Sequence, residues 1–201
     1  MIKKIILYSL FSLFIFSSIY FFLNKDYYQN TTVQKIENQE ALPGGHFKLI
    51  KQDGTVFDSE ISNKLMLIYF GFTYCPDVCP TTLIKMSDVI DRLGDDALKV
   101  NSIFISVDPE RDNVETINDY VSAFHNQIIG LTGNEEQISN VAKDWGVYYQ
   151  KEFIDSSAEY TVNHLDIIFL ANANGEFIDF FPPKIQSALI VEKVRNLIKS
   201  D

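Results

Sequence analysis

Hydrophobic residues follow two patterns along the chain: one long uncharged run near the N-terminus, then shorter segments that alternate with polar stretches. The long run covers residues 5–23 and contains no charged side chain. As a helix, its nineteen residues would span about 28 Å, close to the ~30 Å hydrocarbon thickness of a bilayer. Lys3 and Lys4 precede the run, so the positive-inside rule keeps residues 1–4 in the cytoplasm. The pattern therefore predicts a transmembrane anchor that exports the rest of the chain.

A cleaved signal peptide is the main alternative for this run. Such peptides end in a small-residue cleavage site, whereas residues 19–22 (Ile-Tyr-Phe-Phe) are bulky at that position. An uncleaved anchor is therefore favoured. Residues 24–42 are polar without sustained apolar periodicity, which predicts a tether, with a short helix at 33–41 left open. These features predict a single-pass protein of the bacterial inner membrane whose C-terminal domain, residues 43–201, lies in the periplasm.

The rest of the chain alternates between strand-like and helix-like segments. Apolar runs of strand length at Lys64–Gly71 and Val100–Val107 are typical of strands buried on both faces of a sheet. Between them, apolar residues recur at helical spacing over Thr81–Leu93. The other predicted elements are helices at 114–124, 135–145 and 185–198, a closing hairpin of strands at 164–170 and 176–181, and a small hairpin at 45–50 and 56–57. Strand–helix–strand connections followed by a hairpin predict one α/β domain of thioredoxin-like topology, with a parallel core and antiparallel edges.

Composition and charge narrow the class of protein. Hydrophobic residues make up 46% of the chain, which argues against a disordered protein. The part that follows the anchor is long enough for one ordinary domain. The net charge of −10 argues against a nucleic-acid-binding protein, which would carry a basic face. Two cysteines cannot build a disulfide framework, so any role they have is local.

The two cysteines lie between the first predicted buried strand and the helix that follows it. Cys75 and Cys79 are each followed by a proline, and we expect Cys79 at the cap of a helix that starts near Thr81, with Cys75–Val78 as a constrained loop. A sulfur at a helix N-terminus sees partial positive charge, which favours the thiolate. The C-x-x-x-C spacing is one residue wider than the redox motif C-x-x-C, and the wider loop leaves room for an ion between the sulfurs. A structural disulfide or two inert core thiols are the alternatives.

Three histidines could complete a metal site. His164 stands at the N-terminal end of a predicted strand, and in thioredoxin-like topology the loop entering that strand faces the cysteine loop. His46 and His125 fall at the start of a hairpin and the end of a helix, where surface or capping roles are more common. Two thiolates and one imidazole form a soft trigonal set suited to Cu(I), whereas zinc would want a fourth ligand. The alternative for His164 is a hydrogen-bonded core histidine.

Four sequence blocks resemble those of the Sco/SenC copper chaperones. They are YFGFTYCPDVCP at 69–80, FISVDPERD at 104–112, GLTG at 130–133 and YTVNH at 160–164. The resemblance implies a membrane-anchored, thioredoxin-like protein that carries copper for the assembly of cytochrome c oxidase. It implies Cys75, Cys79 and His164 as copper ligands, Cu(I) as the bound ion with Cu(II) as a second state, and the copper site of oxidase subunit 2 as the target. Another copper carrier or a thiol reductase would be further partners.

Two features of these blocks stay open. Family members commonly carry an aspartate just before the histidine, where this chain has Asn163, and this change could alter charge or hydrogen bonding near the site. In the second block, Arg111 could pair with Asp77 or with Asp108, or it could lie on the surface of a turn.

The alternative function is enzymatic. Cys75 and Cys79 could be the redox pair of a thiol–disulfide oxidoreductase that reduces the oxidase cysteines before metallation. An oxidised pair cannot bind copper and a metallated pair cannot exchange electrons, so the two activities exclude each other at any one moment. A simple reductase has no need of His164, which makes this histidine the discriminating residue. A peroxidase-like thiol enzyme and a purely structural anchor module are the remaining alternatives.

Overall fold

The computed structural model describes residues 42–153 and 159–200. The predicted anchor at 5–23, and all but the last residue of the predicted tether at 24–42, lie outside the described residues, so both stay predictions. Within the described part of the chain, no helix has the length and apolar character needed to cross a bilayer.

A mixed sheet of seven strands forms the centre of the domain. Its members are β1 (Lys48–Lys51), β2 (Val56–Asp58), β3 (Leu65–Gly71), β4 (Val100–Ser106), β5 (Ile128–Thr132), β8 (Ile168–Ala171) and β9 (Phe177–Phe181). Their spatial order is β2-β1-β5-β4-β3-β8-β9. β3, β4 and β5 run parallel. The hairpin of β1 and β2 pairs antiparallel with β5, and the hairpin of β8 and β9 pairs antiparallel with β3. β6 (Tyr149–Phe153) and β7 (Tyr160–His164) form a separate two-stranded antiparallel sheet.

Four α-helices lie within the described residues. They are α1 (Val78–Leu93), α2 (Val114–Ser122), α3 (Glu135–Asp144) and α4 (Ser187–Ser200), and a 3₁₀ helix covers Gly94–Lys99. The apolar residues that recur at helical spacing in α1 are all buried, namely Leu83, Met86, Ile90 and Leu93. The N-cap residues of α2 and α3 are Asn113 and Asn134, whose side chains accept hydrogen bonds from first-turn amides. α1 packs against α4, and α2 packs against β5.

Strands β3 and β4, near the centre of the sheet, are covered on both faces. All seven residues of β3 and all seven of β4 are buried, as their apolar runs predicted. The two strands pair in parallel, which confirms the predicted strand–helix–strand core. Because the carboxyl ends of parallel strands meet at one edge of a sheet, the loops that follow them lie side by side. There the backbone N–H of Val107 donates to the carbonyl of Gly71 at 2.8 Å.

The sequence pattern does not predict β5, β6 or β7. β6 and β7 are only partly buried, so they lack the apolar run that marks a strand buried on both faces. The apolar pattern of β5 is interrupted by Gly130, where a β-carbon would come within 2.4 Å of Ile117 Cγ2 on α2. The closing hairpin is present, but its first strand, expected at 164–170, begins only at Ile168 as β8, and His164 is instead the last residue of β7. The other predicted elements are present, with boundaries that differ by at most three residues.

Candidate metal centre

The cysteine loop leaves the sheet after β3, and α1 begins at Val78 rather than near Thr81. Cys79 is therefore the second residue of the helix, which corrects its expected place at the cap. First-turn amides have no partner one turn back, so a proline there removes no helical hydrogen bond. Pro80 is the third residue of α1, and the helix can start before it. A residue that precedes proline usually prefers an extended backbone, but Cys79 is helical.

The sulfur of Cys75 takes the place of a capping side chain. Asp77 stands at the N-cap position, but its side chain makes no capping hydrogen bond. Instead, the backbone N–H of Cys79 donates to Cys75 Sγ at 3.5 Å. The partial positive charge of the helix N-terminus therefore acts on Cys75, and not on Cys79 as the sequence suggested.

His164 ends β7, and its imidazole lies against the sulfur of Cys79. The distance between His164 Nε2 and Cys79 Sγ is 3.3 Å. The ligand atoms of Cys75, Cys79 and His164 all lie within 4.8 Å of one another. The structure thus brings the three sequence-predicted site residues together, and their role as metal ligands stays a prediction.

Contacts around the imidazole determine which of its nitrogens faces the sulfurs. His164 Nδ1 lies 3.3 Å from the backbone carbonyl of Leu165, so the other ring nitrogen, Nε2, faces the sulfurs. An imidazole whose outer nitrogen contacts a backbone carbonyl is the usual arrangement of a metal-binding histidine. The rings of Tyr69 and Phe72 meet the imidazole edge to face, with centroid distances of 6.2 and 5.7 Å respectively. The ring is therefore held on several sides.

The other two histidines lie away from the cysteines, as expected. His46 is exposed, with Nδ1 3.4 Å from the hydroxyl of Ser59. His125 is half-buried, with Nε2 3.4 Å from a carboxylate oxygen of Asp91. Neither belongs to the cluster of candidate ligands found in the described part of the chain.

The two thiols have opposite electrostatic environments. A hydrogen bond from the Cys79 side chain lowers the pKa of Cys75 against the opposing effect of burial, with further help from His164 and the amides of Asp77 and Cys79. The same hydrogen bond, together with burial, raises the pKa of Cys79. The pair therefore loses one proton readily and the second with difficulty, unless a cation replaces it.

In the reduced, metal-free protein, Cys75 is expected to react with iodoacetamide well before Cys79. Cys75 is 9% exposed and Cys79 is 0% exposed, and the thiolate is the reactive form. Peptide mapping after a limited reaction should therefore find nearly all of the label on Cys75. As a control, Cys75→Ser should take up almost no label until it is denatured. Equal labelling of the two cysteines would contradict this difference in burial and protonation.

Two further residues approach the Cys79 sulfur, and neither is predicted from the sequence. Tyr69 is fully buried in β3, and its hydroxyl donates to Cys79 Sγ at 3.4 Å. Gly71 ends β3, and a β-carbon at this position would lie 2.8 Å from the same sulfur. Tyr69 and Gly71 are alternate residues of β3, so they lie on the same face of the strand, next to Cys79. In the sequence, the signal for this contact was a tyrosine and a glycine on one face of a buried strand.

The turn after β4 supports the cysteine loop through a buried carboxylate. Asp112 is fully buried, and it accepts hydrogen bonds from the amide and the hydroxyl of Thr73 at 2.9 and 2.6 Å. The hydroxyl of Ser106 donates to the same carboxylate. Burial raises the pKa of Asp112 from its ordinary value. Asp112 is a further residue that sequence reasoning did not single out, because its partner lies far away along the chain.

Arg111, whose partner the sequence left undecided, pairs with Asp108 and not with Asp77. Asp108 is fully buried, and only 23% of the Arg111 side chain is exposed. The alternative in which Arg111 lies free on the surface of a turn is therefore wrong.

Asn163, the residue that departs from the family pattern, is exposed. Its side-chain amide lies 3.4 Å from Glu152 on the neighbouring strand β6. Adjacent residues of a strand point to opposite faces, so the Asn163 side chain points away from the face that carries the imidazole of His164.

Comparison with known proteins finds relatives over most of the described domain. A family model described as SCO1/SenC matches residues 35–199. The mitochondrial SCO1 homolog 1 of Arabidopsis thaliana is 42% identical over 144 residues, which are 71% of this chain and 43% of that protein. A SCO2-like protein of Rickettsia felis is 41% identical over 140 residues, which are 69% of this chain and 68% of that protein. The match thus spans less than half of the Arabidopsis relative and about two thirds of the Rickettsia relative.

Solved structures share the fold. The crystal structure of Arabidopsis thaliana ScoI with copper bound has a TM-score of 0.71 and 38% identity, and the match covers 79% of this chain and 99% of that chain. Bradyrhizobium japonicum ScoI with copper bound also has a TM-score of 0.71 and 38% identity, over 77% of this chain and 98% of that chain. These matches confirm the predicted thioredoxin-like α/β fold. Because the family model covers well over half of the sequence, the chain belongs to the SCO1/SenC family.

Proposed function

We propose that this protein is a copper metallochaperone that binds copper through Cys75, Cys79 and His164 and delivers it to the copper site of cytochrome c oxidase subunit 2. The observation that carries the proposal is the convergence of two thiols and one imidazole within 4.8 Å on a domain of the SCO1/SenC family. Two similar solved structures hold copper, which supports copper as the cargo.

The spacing of the donor atoms fits a three-coordinate ion. Metal–sulfur bonds of about 2.3 Å place the donors of a trigonal site about 4 Å apart. Cys79 Sγ and His164 Nε2 lie 3.3 Å apart, and no two of the three donors are more than 4.8 Å apart, so small side-chain rotations would close them around an ion. Thiolates favour Cu(I) over harder ions. A bound monovalent ion would also replace the proton that the two sulfurs share, which makes binding weaker at low pH.

The proposed location and partners depend on the predicted anchor. With residues 1–4 in the cytoplasm, an anchor at 5–23 would hold the domain at 43–201 on the periplasmic side of a bacterial inner membrane, at the end of a tether at 24–42. Oxidation of the cysteine pair would block binding. A thiol reductase would therefore keep the site competent, and another copper carrier would load it.

A thiol–disulfide oxidoreductase is the second candidate. The observation that favours it is the lowered pKa of Cys75 beside a second free thiol. In this reaction the Cys75 thiolate would attack a disulfide of the oxidase subunit and release one of its thiols. Cys79 would then attack the mixed disulfide, which leaves the substrate reduced and the Cys75–Cys79 pair oxidised.

Copper stoichiometry and X-ray absorption spectroscopy on the reduced full-length protein test the proposed function. We expect one copper per chain with two sulfur ligands and one nitrogen ligand. Copper held by nitrogen and oxygen alone, or a protein that keeps no copper after desalting, would overturn the proposal. Cys75→Ser is the control, since it should lose one sulfur from the spectrum.

A further inference from the structure

Arg111 spans the gap between the two segments that carry the candidate ligands. The carbon at the centre of its guanidinium lies 4.8 Å from the ring centroid of Tyr74 and 3.7 Å from that of Tyr160. Tyr74 directly precedes Cys75 in the cysteine loop, and Tyr160 lies four residues before His164 on β7. One cation therefore contacts both segments through their aromatic rings.

Polar contacts hold Arg111 and Tyr160 around one buried carboxylate. Asp108 pairs with Arg111 Nε through one oxygen, and through the other it accepts the Tyr160 hydroxyl at 2.8 Å. Arg111 Nη1 also donates to the backbone carbonyl of Tyr160 at 2.9 Å. A planar guanidinium can make both bonds while it stacks on a ring, and a lysine ammonium cannot. The position of Tyr160 is therefore determined from its backbone and from its side chain.

β7 needs such contacts because it belongs to a two-stranded sheet of its own with β6. An isolated hairpin of two strands is at best marginally stable in water. Tyr160, Val162 and His164 share one face of β7, since alternate residues of a strand do so, and Val162 is buried. Holding Tyr160 at one end of this face therefore controls the direction of His164 at the other end.

Asp108 and Arg111 lie in the turn that follows β4, and this turn is attached to the central sheet. The backbone N–H of Asp108 donates to the hydroxyl of Ser106, the last residue of β4, at 3.0 Å. The backbone N–H of Asp112 donates to the Asp108 carbonyl at 2.9 Å, and the Asp112 side chain holds Thr73. One turn thus contacts the cysteine loop through Asp112 and the histidine strand through Arg111.

We propose that Arg111 is a positioning residue that sets the distance between the imidazole of His164 and the two thiols. It acts through Tyr160 and β7 rather than by binding the metal. The importance of that distance for copper rests on the proposed function, whereas the placement of β7 is a property of the metal-free protein and can be measured without copper.

Hydrogen exchange of Arg111→Lys tests the placement of β7. Lysine keeps a positive charge beside Asp108, so the buried carboxylate stays paired, but it cannot also hold Tyr160. In the reduced, metal-free full-length protein, we expect amide exchange in β7 to rise about tenfold, because a released hairpin is only marginally stable. β3 and β4 should exchange as in the wild type. Arg92→Lys, which changes an exposed arginine paired with Asp88, is the matched control and should change nothing.

Unchanged exchange in β7 of Arg111→Lys would overturn the inference. If this variant fails to fold, Tyr160→Leu replaces it, because that change removes both the ring on which Arg111 stacks and the hydroxyl bond to Asp108. It should raise exchange in the same strand. A loss of protection throughout the domain in both variants would also overturn the positioning role, since it would show a purely structural one.

Cu(I) affinity, measured by competition with a chromogenic chelator, tests whether Arg111 acts through His164. We expect Arg111→Lys to lower the affinity about tenfold when His164 is present, and by less than about twofold in the His164→Ala background. Equal losses in both backgrounds would overturn the inference. If the wild type binds no Cu(I), the proposed function fails, and hydrogen exchange alone decides the role of Arg111.

Discussion

Replacement of His164 by alanine is expected to weaken Cu(I) binding by at least about a hundredfold while the thiol–disulfide reaction of Cys75 and Cys79 changes little. The imidazole would supply one of three donors to the ion, and its Nε2 already lies 3.3 Å from Cys79 Sγ. Formation of a disulfide between the sulfurs requires no such donor. Competition with a Cu(I) chelator measures the first quantity, and equilibration with glutathione measures the second.

His125→Ala is the matched control for this experiment. His125 is also half-buried, but its partner is Asp91 and it lies outside the candidate ligand cluster, so neither activity should change. A folded His164→Ala protein that keeps wild-type Cu(I) affinity would refute the ligand role of His164. Equal loss of copper binding and of the thiol reaction would also count against it. The second outcome would indicate that the imidazole supports the cysteine pair in general.

Alanine at Gly71 is expected to disturb both the stability of the domain and the geometry of the sulfurs. The added β-carbon would lie 2.8 Å from Cys79 Sγ, 3.0 Å from the Phe104 ring and 3.1 Å from the Tyr69 ring. β3 is buried along its whole length, so the strand has little room to move away. Overpacking of this kind costs about 1–3 kcal/mol of unfolding free energy, which denaturant unfolding measures. Because the sulfur itself must shift, we also expect Cu(I) affinity to fall by about tenfold.

Gly130→Ala separates these two effects. A β-carbon at Gly130 would come within 2.4 Å of Ile117 Cγ2 and 3.0 Å of Val121 Cγ1, both on α2. The loss of stability should therefore be similar or larger, whereas the Cu(I) affinity of the folded protein should stay at the wild-type value. If both variants lose affinity equally, the effect comes from the stability of the domain and not from the Cys79 sulfur.

The features that were predicted correctly from the sequence are those that local pattern determines. β3 and β4 are mostly apolar because both of their faces are buried, and this property is visible in a single segment. The helical spacing of α1 is equally local. The approach of His164 to the cysteine loop was also predictable, because the order of strands and helices brings that segment to the same edge of the sheet.

The features that were missed depend on distant parts of the chain. β6 and β7 are only partly buried, so their mutual pairing and contacts such as those of Tyr160 define them as strands. Asp112 can bury its carboxylate because this group accepts a hydrogen bond from Thr73, which lies far away in the sequence. The helix N-terminus was assigned to the wrong sulfur because Pro80 fits inside the first turn, which leaves Cys75 as the acceptor.

The complete burial of Cys79 imposes a sequence of events on any handover of cargo. Within the described part of the chain Cys79 has no exposed surface, so a recipient would approach from the side on which Cys75 and His164 reach the surface. Incoming ligands would displace the imidazole and the outer sulfur first, and the bond to Cys79 would break last. The ion would then pass directly from donor to acceptor and would at no point be free to diffuse.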